Sequence, residues 1–81
     1  MFMIKPYAST ESPWSQEQWD QAVALIRKNT TSQGTIVSPV SLVQRHLLIS
    51  YELGLAMVTE MQGVGLVSAP IDGGTVRQVL D

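Results

Sequence analysis

Three serines punctuate this sequence, each directly before a stretch in which apolar residues recur at helical spacing: Ser15, Ser38 and Ser50. A serine in that position offers its hydroxyl to an amide of the first helical turn, so each one marks a helix start. Three starts so close together require short connections, and helices joined by short connections pack on one another. The first start is the best defined. Ser15 and Gln18 form an S-x-x-Q capping box, and Trp14 and Trp19 occupy the two positions of a hydrophobic staple. Trp19, Ala22, Val23 and Ile26 then form a buried stripe, with Asp20, Gln21 and Arg27 on other faces. Glu17 in the first turn and Arg27-Lys28 in the last suit the helix dipole. Both tryptophans therefore read as core and staple residues rather than as base-stacking platforms.

At the second start, Ser38-Pro39 combines an N-cap with proline at the first helical position. Val40, Val43 and Leu47 share a face, with Leu42 beside it, while Gln44, Arg45 and His46 leave that stripe in part. Ile49-Ser50 leaves room only for a tight turn. The third helix is expected from Tyr51 to about Gln62, with Tyr51, Leu55, Val58 and Met61 or Gln62 on one stripe. Leu53, Ala56 and Met57 form a second apolar surface, and Gly63 and Gly65 are expected to end the helix with left-handed backbone. Tyr51 is expected to pack against the second helix.

The strands are shorter. Asn29 to Gly34 is a polar loop, and Thr35-Ile36-Val37 is a β-branched run expected as a strand. Leu66-Val67-Ser68 reads as another, and Val76 to Leu80 alternates apolar and polar as a half-buried strand does. Between them Pro70 and Asp72-Gly73-Gly74 make a turn, so these last two strands form a hairpin. The expected fold is α+β, a winged helix-turn-helix with three helices, a short strand after the first, and a C-terminal two-stranded wing. It occupies residues 14–81. Residues 1–13 read as an N-terminal arm, because Pro6, Pro13 and the Ser9 to Ser12 polar cluster break any periodicity.

Composition excludes several classes. The chain has 81 residues, enough for one small domain. It has no cysteine and a single histidine, His46, which excludes a disulfide scaffold, a thiolate zinc site and a multi-histidine metal centre. No G-x-x-x-x-G-K-[ST] occurs, and Asp72, Glu60, Glu52, His46 and Ser38 show no triad or paired-carboxylate spacing. No enzyme activity, cofactor or small-molecule substrate is expected. The opening Met1-Phe2-Met3-Ile4 run is too short for a signal peptide or a membrane span, so a cytoplasmic protein without membrane contact is expected. Asn29-Thr30-Thr31 matches a glycosylation sequon and is read as chance. Five Lys+Arg against seven Asp+Glu give a net charge of -2, which argues weakly against nucleic acid.

One set of motifs points the other way. Val43-Gln44-Arg45, then Ile49-Ser50-Tyr51, then Glu60-Met61-Gln62-Gly63-Val64-Gly65-Leu66-Val67 resembles the gamma domain of FtsK/SpoIIIE DNA translocases. That family typically shows V/L-Q-R, then I-G-Y-N-R-A-A-R, then a hydrophobic helix ending in M-E-x-x-G-I-V. Arg77-Gln78-Val79-Leu80 is similar to its closing R-E-V-L, and Trp19-Asp20-Gln21-Ala22-Val23 to its first helix. The resemblance covers roughly residues 18 to 80, with a longer loop and strand from Asn29 to Ser38. It implies a winged helix that reads short oriented sequences in duplex DNA, its third helix in the major groove. No motor domain lies within this sequence.

The departures fall on the reading positions. The family's asparagine is Glu52, and its two arginines are Leu53 and Ala56. Leucine and alanine lack the donor fork that arginine offers to guanine and phosphate. Glu52 can accept from a cytosine amino group but repels phosphates. Two readings follow. In one, the domain binds duplex DNA through Gln44, Arg45, Ser50, Tyr51, Glu52 and Arg77, with Lys5, Arg27 and Lys28 as further donors. In the other, Leu53 and Ala56, rimmed by Glu52, Thr59 and Glu60, form a protein-interaction face for a second copy or another partner. The alternatives for individual residues are a solvated charge or local salt bridge for Arg45 and Arg77, and burial of Leu53 within the domain, for instance under Met1 to Ile4.

Overall fold

The first helix forms because both of its ends are satisfied by neighbouring side chains. In α1 (Gln16–Lys28) the Ser15 hydroxyl accepts from the Gln18 amide at 3.0 Å, and Gln18 Oε1 accepts from the Ser15 amide at 2.9 Å. Trp14 and Trp19 close the staple, their rings stacked with centroids 5.9 Å apart. At the other end the Asn29 side-chain amide donates to the Leu25 carbonyl and the Thr30 hydroxyl to that of Ile26. Trp19, Ala22 and Ile26 are buried, as their spacing predicts. The computed structural model describes residues 13–71 and 75–80, so all of the expected arm but Pro13, together with Asp72-Gly73-Gly74 and Asp81, lies outside the described residues.

After a turn closed by Gly34 at φ +79°, β1 (Thr35–Val37) pairs antiparallel with β2 (Val76–Gln78). Ile36 faces Arg77 in this register, and the Val79 amide to the Gly34 carbonyl and the Ser38 amide to the Thr75 carbonyl extend it at both ends. The regular ladder therefore joins the strand after α1 to the last strand. The expected strand at Leu66 to Ser68 is reduced to isolated bridges along the opposite edge of β2, Val67 with Val79 and Ile71 with Val76. Pairing slips by one residue between these bridges. Pro70 has no amide to donate there, and the Ser68 hydroxyl takes the Gln78 amide instead. The hairpin is present in outline, bulged at its middle.

α2 (Pro39–Leu47) and α3 (Tyr51–Gly63) complete the helix-turn-helix. α2 begins at Pro39 as expected, yet the Ser38 hydroxyl makes no capping bond. α3 is capped as expected, the Ser50 hydroxyl accepting from the Leu53 amide at 3.1 Å. Past its end only Gly65, at φ +84°, is left-handed, whereas Gly63 remains helical. α2 and α3 pack closely at Gly54, where a β-carbon would meet the Val40 carbonyl oxygen at 3.2 Å and Gln44 Cβ at 3.6 Å. The core lies between the three helices and the sheet. Ile36, Val43, Met57, Val58, Met61 and Val67 are its largest fully buried side chains.

This packing separates two glycines of one helix. Gly54→Val forces the helices apart against a backbone atom and should lower stability by roughly 2–3 kcal/mol in a urea titration. Gly63→Ala meets no atom within 4 Å, and should raise stability by about 0.5–1 kcal/mol.

Candidate nucleic-acid interface

The turn between α2 and α3 sets how the third helix is presented. Leu48 closes α2 in the left-handed region at φ 57°, and both its amide and that of Ile49 donate to the Gln44 carbonyl. Ile49 then packs against the core. Gln44 thus serves the turn with its backbone and the helix crossing with its side chain, and it is half-buried. Leu48 is 89% exposed. A branched residue in this conformation carries strain that glycine or asparagine avoids. Its exposure was hidden in the sequence, where Leu47-Leu48-Ile49 reads as one apolar run.

The face that α3 presents to solvent differs from the expected one. Gly54, Met57, Val58 and Met61 are its buried residues, while Tyr51 and Leu55 are exposed. Tyr51 is therefore not packed away against α2, although it shares a shallow pocket with Val40 and Ser41. Leu53, expected at the centre of an exposed face, is half-buried against the core; Ala56 is exposed as expected. The apolar centre of the outer face is accordingly Leu55 with Ala56. They line an open groove of about 450 Å³ with Trp14, Glu52, Thr59 and Glu60. Glu52 is exposed and Glu60 half-buried, and α3 contains no Lys, Arg or His, so this face is acidic around an apolar middle.

The cations stand elsewhere. Arg45 is exposed in the last turn of α2, and Arg27 and Lys28 lie at the end of α1. Lys5 falls outside the described residues. His46 Nδ1 lies 3.1 Å from the Leu42 carbonyl, and the ring lines an open groove between α1 and α2 with Gln21, Leu25 and Lys28. Arg77 corrects the expectation of a wing cation offered to solvent, and among the described residues it makes no salt bridge. It is 6% exposed and its Nη1 donates to Gln62 Oε1 at 3.0 Å and the Ser68 carbonyl at 3.2 Å, two neutral acceptors. The reason is register: pairing with Ile36 turns Arg77 to the core face of β2. Ser50 keeps its hydroxyl in the helix cap, with its own side chain exposed at the start of α3. Among the described residues no cluster of His, Asp or Glu is arranged to hold a metal, and no helix is long and apolar enough to cross a membrane.

A helix-turn-helix carrying a small sheet, with cations off its third helix, can now be set beside known proteins. The chain is 39% identical over 62 residues to "DNA translocase FtsK 2" of Ralstonia nicotianae. This is an FtsK-like relationship. The match takes in 76% of the chain but only 7% of the translocase, so the chain spans a small fraction of that relative's length. No protein-family model matches the chain.

The sequence missed Leu48, Leu55 and the residues beside Tyr51, namely Ser38, Ser41 and Thr75. Proline directly after Ser38 was the available signal for the last group, because it marks the open first turn of a helix. The strain at Leu48 is testable. Leu48→Gly should raise stability by about 1 kcal/mol in chemical denaturation, since the exposed side chain contributes little burial and glycine adopts its backbone freely.

Proposed function

We propose that this chain is a small winged-helix protein, similar to the FtsK gamma domain, that associates with duplex DNA in the cytoplasm as an accessory or regulatory factor. It acts by binding and carries no catalytic activity. The observation that supports this reading is the 39% identity with a DNA translocase across a helix-turn-helix. In this reading the N-terminal end of α3 approaches the duplex, with Ser50 and Tyr51 offering hydroxyls and Arg45 supplying an exposed cation from α2. Gln44 holds the turn, and Glu52 stands where a cytosine amino group can donate to it. Leu53 and Ala56 at the family's arginine positions remove two phosphate or guanine contacts, so affinity is modest and a dimer would strengthen it.

Fluorescence anisotropy on a mixed-sequence and a G-rich duplex over a salt series tests the reading. Binding should strengthen at low salt with a shallow slope. Arg45→Ala should weaken it several-fold and flatten the log–log salt slope by roughly 0.9. Absence of binding at low salt overturns the proposal.

A second reading is favoured by one observation, the acid-rimmed groove around Leu55 and Ala56. It makes the outer face of α3 a protein contact, either between two copies or with another protein. Ala56→Asp changes an exposed side chain and should leave the fold intact. If this reading holds, light scattering of the wild-type protein gives a dimer and the variant a monomer; a monomer in both excludes self-association.

A further inference from the structure

Two exposed features of the helix-turn-helix have complementary chemistry. The first is Leu48. It is 89% exposed and holds a left-handed backbone at φ 57°, so the turn presents a bare apolar side chain at a cost in strain. Its surroundings are basic. Arg45 and His46 stand exposed in the last turn of α2, and Lys28 lines the open groove between α1 and α2 with His46. The Arg45 side chain has neither a hydrogen bond nor an ion pair among the described residues. This end of α2 is therefore an apolar knob set among cations.

The groove around Leu55 and Ala56 has the reverse character. Its middle is apolar, Trp14 lies at its side, and Glu52 and Glu60 rim it with no cation on α3 to answer them. At about 450 Å³ it has ample room for a leucine side chain. A leucine that leaves water for this apolar middle gains by burial, and cations carried beside it meet the two carboxylates. Two copies that met groove to groove would set Glu52 and Glu60 of each against those of the other, and like charges oppose that pairing. Knob against knob would oppose Arg45 to Arg45 in the same way. Only contact between unlike patches satisfies the charges and covers both apolar surfaces.

We infer that this chain self-associates by seating Leu48 of one copy in the Leu55–Ala56 groove of another, with Arg45 of the first copy beside the acidic rim of the second. The inference rests on the protein-contact reading above and specifies its partner, a second copy engaged through a different surface. Each copy carries both halves, so the contact repeats from copy to copy unless it closes on itself.

Light scattering on the whole chain over a concentration series tests this. The wild type should gain mass with concentration, to a dimer or beyond, and less so as salt rises. Leu48→Asp and Ala56→Asp both alter exposed side chains, and aspartate tolerates the left-handed backbone at position 48. Each variant alone should need about tenfold higher concentration or more to associate. Mixed in equal amounts they should form a one-to-one pair that grows no further, since Leu48→Asp keeps an intact groove and Ala56→Asp keeps an intact Leu48. Circular dichroism checks that both fold, and Leu48→Asn takes the place of Leu48→Asp if that variant does not. A wild type that stays monomeric throughout overturns the inference and leaves the groove to a different occupant. Two monomeric variants that fail to pair when mixed also overturn it. If association survives Leu48→Asp but is lost in Ala56→Asp, the inference falls and the protein-contact reading stands.

Discussion

α3 crosses α2 at Gly54, where it carries no side chain, and the rest of the molecule is arranged around that contact. The 3.2 Å between a β-carbon at Gly54 and the Val40 carbonyl leaves no room for a larger residue unless the helices separate. Close approach there presses Met57, Val58 and Met61 into the core beside Val43 and Ile36, and turns Leu55, Ala56 and Glu52 outward. It also draws the start of α2 toward Tyr51 at the head of α3. The helix pair therefore determines both surfaces on which function is proposed. Leu48 closes α2 in a strained conformation, and the turn is held because Gln44 accepts two amides and Ile49 is anchored in the core.

Charge is distributed against the usual logic of a groove-reading helix. The outer face of α3 carries two carboxylates and no cation, and Arg77, the cation nearest to it in the sheet, is turned inward. A net charge of -2 describes the whole chain but conceals this separation. Duplex DNA is bound chiefly through phosphates, so contacts from helix starts and one exposed arginine suit weak, orienting association better than tight sequence reading. Among the described residues the groove at Leu55 and Ala56 is open, which is the feature behind the protein-contact reading.

Much of the fold was legible in the residues. The Ser15–Gln18 box, the Trp14–Trp19 staple, the Ser50 cap and the three helices appear as read, because each depends on neighbours within a few residues. The site was less legible. Arg77 looks like a surface residue in an alternating strand, and only pairing with Ile36 turns it to the core face. The register between the Val67–Val79 and Ile71–Val76 bridges slips for a similar reason, since the effect of Pro70 depends on which edge of β2 it meets.

The helix starts, the turns and the α+β order are properties of short stretches of chain, fixed by hydroxyls, prolines and apolar spacing acting over one or two turns. The identity of the outward face of α3 is not such a property. That helix is apolar on most sides, so its spacing allowed either Tyr51 and Leu55 or Leu53 and Met57 to be core. The choice fell to the closest packing available against α2. A helix packs by the side on which its neighbour can come nearest, and Gly54 makes that side the one carrying Met57, Val58 and Met61.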